Sequence, residues 1–385
     1  VASSDDVVAA HRFSRRWLLV AAGGATLVGL GVARDALPAG AGAADRTPEQ
    51  WRARLVGSAA QPYVGYARSS GRLGLPDLPQ LEQASALLTS TTRIRAFVAG
   101  PHRWRVDELT PAGERDTYRL GDVEVVWDFG ANQLTRVVGA TPVRLPRAAD
   151  LLPPELARRL VGLAPGDPVS ALPARRIAGR SAAGLRVTPL DPDTTVGRVD
   201  VWVEPSSGLP LRVEVGGHDD PAPVLVTEFR EIDLRPPAPD VLVPAVPPGA
   251  GAVRVEAAGL TGALRVLGAA PLPDRLAGRD RVRLPGPGGS DDLPGVGLYG
   301  TGLAGFALIP LPRRVARRAL DGATGAGGVP VVLPDGAAVR LGTPLLSVVI
   351  HGGAGRRRGG VLLVGTVAPA VLEQAVRELP VRRRA

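Results

Sequence analysis

The sequence predicts a mainly β, α+β protein built from antiparallel strands, and three observations carry that expectation. The 385 residues include 49 glycines and 38 prolines, which cut the chain into short elements bounded by turns. From Arg93 onward, successive runs alternate apolar and polar residues at period two, the pattern of strands with one buried face. The connections between these runs are short and carry Gly, Asp, Asn or Pro, which suits an antiparallel meander.

The elements follow in order. Thr47-Pro48-Glu49-Gln50 predicts a helix start, with a hydroxyl cap, Pro in the first turn and Gln at the capping-box position. That helix should run to about Ser58, followed by a strand over 62–69 and an amphipathic helix over 78–88. In the strand around Trp104 and Val106, those two residues oppose Arg103, Arg105 and Asp107. Further strands are expected at 116–120, 123–128 and 133–138, with Val123, Val125 and Trp127 on one face. Pro153-Pro154-Glu155 opens a helix to about Leu163. Strands resume at 175–179, 184–189, 198–204 and 209–215, with Pro205-Ser206-Ser207-Gly208 as a hairpin turn, and 224–232 adds a last strand. Residues 233–295 are rich in Pro and Gly and read as a linker or excursion. A smaller C-terminal α+β domain is expected over 296–380, with a helix after Pro312, four strands between 330 and 367, and a closing helix over 369–379.

Composition excludes several chemistries. All 46 basic residues are arginine, so no lysine is present for a P-loop, a Schiff base or a pyridoxal site. Cysteine is absent as well, which removes disulfides, thiolate metal sites and a lipidated Cys anchor. The net charge of +9 comes without a long basic stripe interleaved with aromatics, so no nucleic-acid partner is expected. His102, His218 and His351 lack metal-ligand spacing. His351-Gly352-Gly353 matches an esterase oxyanion loop only superficially, because no G-x-S-x-G turn exists, and it reads as a Gly-rich surface hairpin. Asp191 with Asp193, and Asp219 with Asp220, read as solvated turn residues. No catalytic residue, metal ligand or cofactor is therefore expected.

The N-terminus predicts membrane targeting. Residues 1–16 carry His11, Arg12, Arg15 and Arg16 ahead of an apolar run over 17–33, which ends before Arg34. The K/R bias puts the N-terminus in the cytoplasm and the bulk of the chain outside. The run is short for a span, so a cell-membrane anchor and an export signal cleaved near Ala43 are both open, with the anchor preferred. Ser14-Arg15-Arg16-Trp17-Leu18-Leu19 resembles a twin-arginine export signal.

One stretch carries a family likeness. Residues 175–189, continuing through Val199-Asp200-Val201-Trp202-Val203-Glu204 to Ser207-Gly208-Leu209-Pro210-Leu211-Arg212, resemble the RseB/MucB family of sigma-factor regulators. Gly100-Pro101-His102-Arg103-Trp104-Arg105-Val106 and Val126-Trp127-Asp128 are similar to early strands of the wider RseB and LolA superfamily. The likeness covers the domain expected over 47–232, and the segment Leu362-Leu363-Val364-Gly365-Thr366-Val367-Ala368-Pro369 is similar to the small C-terminal domain of RseB. The resemblance implies an unclosed antiparallel β-barrel, a curved sheet with helices on its concave face around a hydrophobic cavity. Trp104, Val106, Val123, Val125, Trp127, Val201, Leu211 and Val213 are the candidate lining, with an ordinary packed core as the alternative. It also implies a non-enzymatic binding protein. Its partner would be an anti-sigma factor or other single-span membrane protein, or a lipid or acyl chain as in LolA-like carriers; an envelope hydrolase ranks last.

Overall fold

The computed structural model describes residues 46–74, 82–110, 113–139, 146–218, 220–245, 248–256, 272–283, 295–333, 336–353 and 359–379. The N-terminal segment, including residues 17–33 and the site near Ala43, lies outside them, as does Asp219.

The first helix, α1 (Pro48–Gly57), starts as its sequence requires. The Gln50 N–H donates to the Thr47 hydroxyl at 3.3 Å, and the Thr47 N–H donates to the Gln50 side chain at 2.9 Å. Trp51 and Leu55, one turn apart, are its buried face. β1 (Tyr63–Gly71) and α2 (Glu82–Thr89) precede a meander of five strands: β2 (Thr91–Gly100), β3 (Arg103–Thr110), β4 (Gly113–Leu120), β5 (Val123–Asp128) and β6 (Gln133–Val138). After α3 (Pro153–Leu163) comes a second meander: β7 (Val169–Ile177), β8 (Arg180–Val187), β9 (Arg198–Val203), β10 (Pro210–Gly216) and β11 (Leu225–Asp233).

Pairing of β1 with β11 joins the two meanders into one twelve-stranded sheet. Its order is β12-β6-β5-β4-β3-β2-β1-β11-β10-β9-β8-β7, where β12 is Gly251–Glu256. Every pair is antiparallel except β12 with β6, which is parallel. The end strands β12 and β7 do not pair with each other, so the sheet stays open, as expected. Irregular register in β2, β7, β10 and β11 adds local bends and twist. α1 and α3 pack together beside the sheet, where α3 buries Ala157 and Val161. The Thr227 hydroxyl on β11 fixes the short turn ahead of α3 by donating to the Leu151 carbonyl at 2.6 Å.

A second sheet holds β13 (Arg275–Leu276), β14 (Arg279–Val282), β15 (Gly297–Tyr299), β16 (Phe306–Leu311), β17 (Val329–Leu333), β18 (Gly336–Gly342), β19 (Ser347–Gly353) and β20 (Gly360–Gly365). Alternation along β19 sends Val349 toward α5 (Pro369–Glu378) and Ile350 toward α4 (Arg313–Gly325), so the two helices cover opposite faces. Residues 233–295 contribute β12 to the first sheet and β13 and β14 to the second.

Two expectations are corrected. The preferred membrane anchor over 17–33 gains no support from the described residues, where no helix is long and apolar enough to cross a membrane. The longest described helix, α4, has 13 residues and rises about 20 Å, against a hydrocarbon core of about 30 Å. His351 is not on a surface hairpin either. It is buried within β19, opposite Ala338 and Val361, because both faces of that strand are covered by helices.

Candidate functional site

Strand register sorts the eight candidate lining residues onto two faces of the large sheet. Residues directly opposite in an antiparallel pair point the same way. Val106 faces Ala96, and the set continues through Ile94, Ala67, Ser69 and Thr227 to Val213 and Val201. Val106, Val201, Leu211 and Val213 lie in one buried cluster with Trp51 and Leu55 of α1 and Ala157 and Val161 of α3, and the half-buried Trp104 packs against it. This is the helix-covered face. Val125 and Trp127 pair instead with Tyr118 and Asp116, and these with Arg105 and Asp107, so Val123, Val125 and Trp127 are on the opposite face.

That opposite face holds a buried ion network that sequence reasoning missed. The Arg105 Nε donates to Asp107 at 2.6 Å, while its Nη2 reaches Asp116 at 2.9 Å and Glu114 at 3.3 Å. Arg95 donates to Glu114 at 2.5 Å and lies 3.4 Å from Asp107. The Arg105 guanidinium is stacked between the Phe97 and Tyr118 rings, 5.6 and 5.2 Å from their centroids. Asp107 is 0% and Asp116 2% exposed. Burial raises Asp107 despite the pull of Arg105 and Arg95, and burial together with the Asp107 charge pushes Asp116 up to about 8. For Arg105 burial works the other way, but its bond to Asp107 and the charges of Asp107 and Asp116 raise it overall. Three carboxylates against two guanidiniums leave one negative charge in excess, which a single proton balances.

The carboxylates of Asp107, Glu114 and Asp116 bring oxygens within 4.8 Å of one another, a spacing that suits a cation. Arg105 bonds one oxygen of each of the three, and its guanidinium already places a positive charge at the cluster. The cluster is not fully satisfied: Arg95 Nε, Asp107 Oδ2 and Asp116 Oδ1 are buried without a hydrogen-bond partner among the described residues.

The residues that carry the RseB-like resemblance form a packed centre. Trp202 is buried on the same face as the ion network, opposite Gly184 on β8 and Arg212 on β10. Its indole N–H donates to the Pro173 carbonyl at 3.1 Å, and the Arg175 guanidinium lies 4.0 Å from its ring. Gly184 is needed beneath it: a Cβ there would come within 2.9 Å of the Leu172 and Pro173 carbonyls. Glu204 caps the following turn, accepting from the Ser206 and Ser207 hydroxyls at 2.7 and 2.6 Å.

The loop between β8 and β9 ties the first sheet to the second. The Thr194 hydroxyl reaches the Leu303 carbonyl at 2.6 Å, the Thr195 hydroxyl reaches that of Leu345 at 2.6 Å, and Thr194 bridges to Val367. Asp191 and Asp193, expected as solvated turn residues, both accept from Arg279, at 2.8 and 3.1 Å. His218 belongs to the same junction through Thr194, 2.9 Å away. Among the described residues His102, His218 and His351 are not brought together: His102 is in the β2–β3 turn and His351 is buried in β19.

No family model and no curated protein matches the sequence. Among solved structures, the chain is similar to that of the MucA/MucB complex of Pseudomonas aeruginosa, at 18% identity over 85% of this chain and 96% of that one, with a TM-score of 0.47. It is also similar to a LolA superfamily protein of Nitrosomonas europaea, at 14% identity over 52% of this chain and 98% of that one, TM-score 0.24. For LprF of Mycobacterium bovis the values are 11% identity, 53% and 97%, and 0.30. Likenesses at this level concern the arrangement of strands, and nothing about a partner or a ligand follows from them.

Proposed function

We propose that the chain is a non-enzymatic binding protein of the cell envelope, an RseB-like regulator of an extracytoplasmic sigma factor that acts by holding an anti-sigma factor or another single-span membrane protein. The observation that carries this reading is the coupling of two sheets: a loop of the large open sheet is gripped by the second through Thr194, Thr195 and Arg279. The sequence resemblance over residues 175–212, and that of 362–369 to the small C-terminal domain, support the same reading. Domain limits of 47–232 and 296–380, and export with cleavage near Ala43, belong to the proposal. Affinity capture from solubilised membranes is expected to recover a single-span partner, and repeated recovery of none overturns the reading.

A LolA-like lipid or lipoprotein carrier is the second reading. It is favoured by the continuous apolar set that Val106, Val201, Leu211 and Val213 form beneath α1 and α3. Native mass spectrometry of the purified chain distinguishes the two, since a carrier is expected to retain an acyl species. A hydrolase ranks last, because neither the sequence nor the described residues pair a nucleophile with a base.

A further inference from the structure

Among the described residues many arginines are tied to carboxylates, while others such as Arg68, Arg93, Arg103 and Arg136 stand on strands without an ion pair. Arg105 holds three acids, Arg186 clasps both oxygens of Asp200 at 2.6 and 2.7 Å, and Arg279 spans Asp191 and Asp193. The start of α4 brings several of the unpaired kind onto one helix. Its sequence opens Arg313-Arg314-Val315-Ala316-Arg317-Arg318, with no acid in the first turn. Among the described residues Arg314, Arg317 and Arg318 are exposed and make no ion pair or side-chain hydrogen bond. The preference for arginine over lysine across the chain explains the residue type but not the lack of partners.

The arrangement is electrostatically unfavourable for the isolated fold. Arg314 and Arg318 are like charges four residues apart, and Arg314 also sits in the first turn at the positive end of the helix dipole, while Asp321 lies four residues beyond Arg317. The helix is held firmly all the same. Ala316 and Ala323 are buried, and its contact with the sheet is close: a Cβ on Gly352 would meet Leu320 at 2.7 Å, and one on Gly360 would meet Ala316 at 2.6 Å. A rotation of 100° per residue then turns Arg314, Arg317 and Arg318 away from the buried line through Ala316 and Ala323. Exposed apolar residues accompany the charges. Val315 lies at one margin of the arginine row, beside Arg318, and Val332, 92% exposed, is on β17 in line with Ala337 and Gly352.

We propose that the outer face of α4 is an electrostatic docking surface for the phosphate headgroups of an anionic lipid layer, engaged reversibly from one side with no part of the chain crossing it. Guanidinium forks match phosphate oxygens, and a row of exposed arginines along one side of a helix, bordered by the exposed Val315, complements an extended anionic surface. The inference does not depend on which protein partner or ligand the large sheet takes.

The test is flotation of the full chain with phosphatidylcholine vesicles, with and without phosphatidylglycerol, at low and high salt. Phosphatidylglycerol should strengthen binding and salt should weaken it. Each arginine near an anionic surface contributes about 1 kcal/mol, or about fivefold, so combined Arg314→Gln, Arg317→Gln and Arg318→Gln substitution should cut the phosphatidylglycerol-dependent part on the order of a hundredfold. Binding to phosphatidylcholine alone should not change. The corresponding triple lysine variant should retain the lipid dependence, which separates loss of charge from loss of fold. Equal binding by the glutamine variant and the parent overturns the proposal. So does binding that ignores lipid charge while an acidic peptide is retained by the same arginines, which would make α4 a protein-docking surface.

Discussion

Replacing Asp116 with Asn tests whether the ion network of the large sheet holds a proton in the folded state. Among the described residues the cations facing Asp107, Glu114 and Asp116 are Arg95 and Arg105, the Tyr118 hydroxyl reaches Asp116 at 3.4 Å, and Asp116 is almost fully buried. Its carboxyl is pushed up to about 8, first by burial and then by the Asp107 charge, whereas an unfolded Asp titrates near 3.9. Between these values the folded state binds more protons than the unfolded one, so stability falls as pH rises through the window. Below it the group is protonated in both states, and above it ionised in both, so the contribution levels off. At about 1.4 kcal/mol per unit, the window allows a loss on the order of 5 kcal/mol, shared with Asp107 because the two titrate together. Asn keeps the shape and cannot ionise. Urea unfolding followed by tryptophan fluorescence, at about pH 5 and about pH 8.5, should show the variant gaining several kcal/mol on the parent at the higher pH. A stability difference that does not change with pH would refute the reasoning.

Two further substitutions probe the frame around the site. Arg279→Ala removes charged bonds to Asp191 and Asp193 and one to the Ala304 carbonyl, and should cost about 2 kcal/mol in denaturant unfolding. The Arg279 bond holds Asp191 below the ordinary carboxylate range, so its contribution is present above the unfolded pKa and is lost as pH falls through the lowered folded value. The variant should therefore lose part of the acid-side slope, and an unchanged acid profile would count against the clamp. Gly184→Ala forces β7 away from β8 beneath Trp202 and should cost about 1–3 kcal/mol, read as a lower Tm; an unshifted Tm would show that β7 yields freely.

The sequence by itself determined most helices and strands between residues 47 and 232, though not β12 to β14 in the Pro/Gly-rich segment, and the absence of lysine and cysteine. The capping box at Thr47, the double proline before α3 and the period-two runs depend on neighbouring residues, so local preference and tertiary structure agree on them. The absence of Lys and Cys is likewise final without coordinates. Which residues share a face across strands was decided only by the register. Alternation fixes sides within one strand, but parity across each turn depends on where pairing resumes, and so Val106 and Trp127 parted to opposite faces. Arg105 and Asp107 fall on the polar side of their strand in the sequence pattern, and their burial depends on Glu114, Asp116 and Arg95 arriving from the neighbouring strands to pair with them. The pairing of Asp191 with Arg279 spans 88 residues, and the parallel docking of β12 on β6 joins positions more than a hundred apart. No local pattern encodes such meetings, since they are set by the closure of the whole chain.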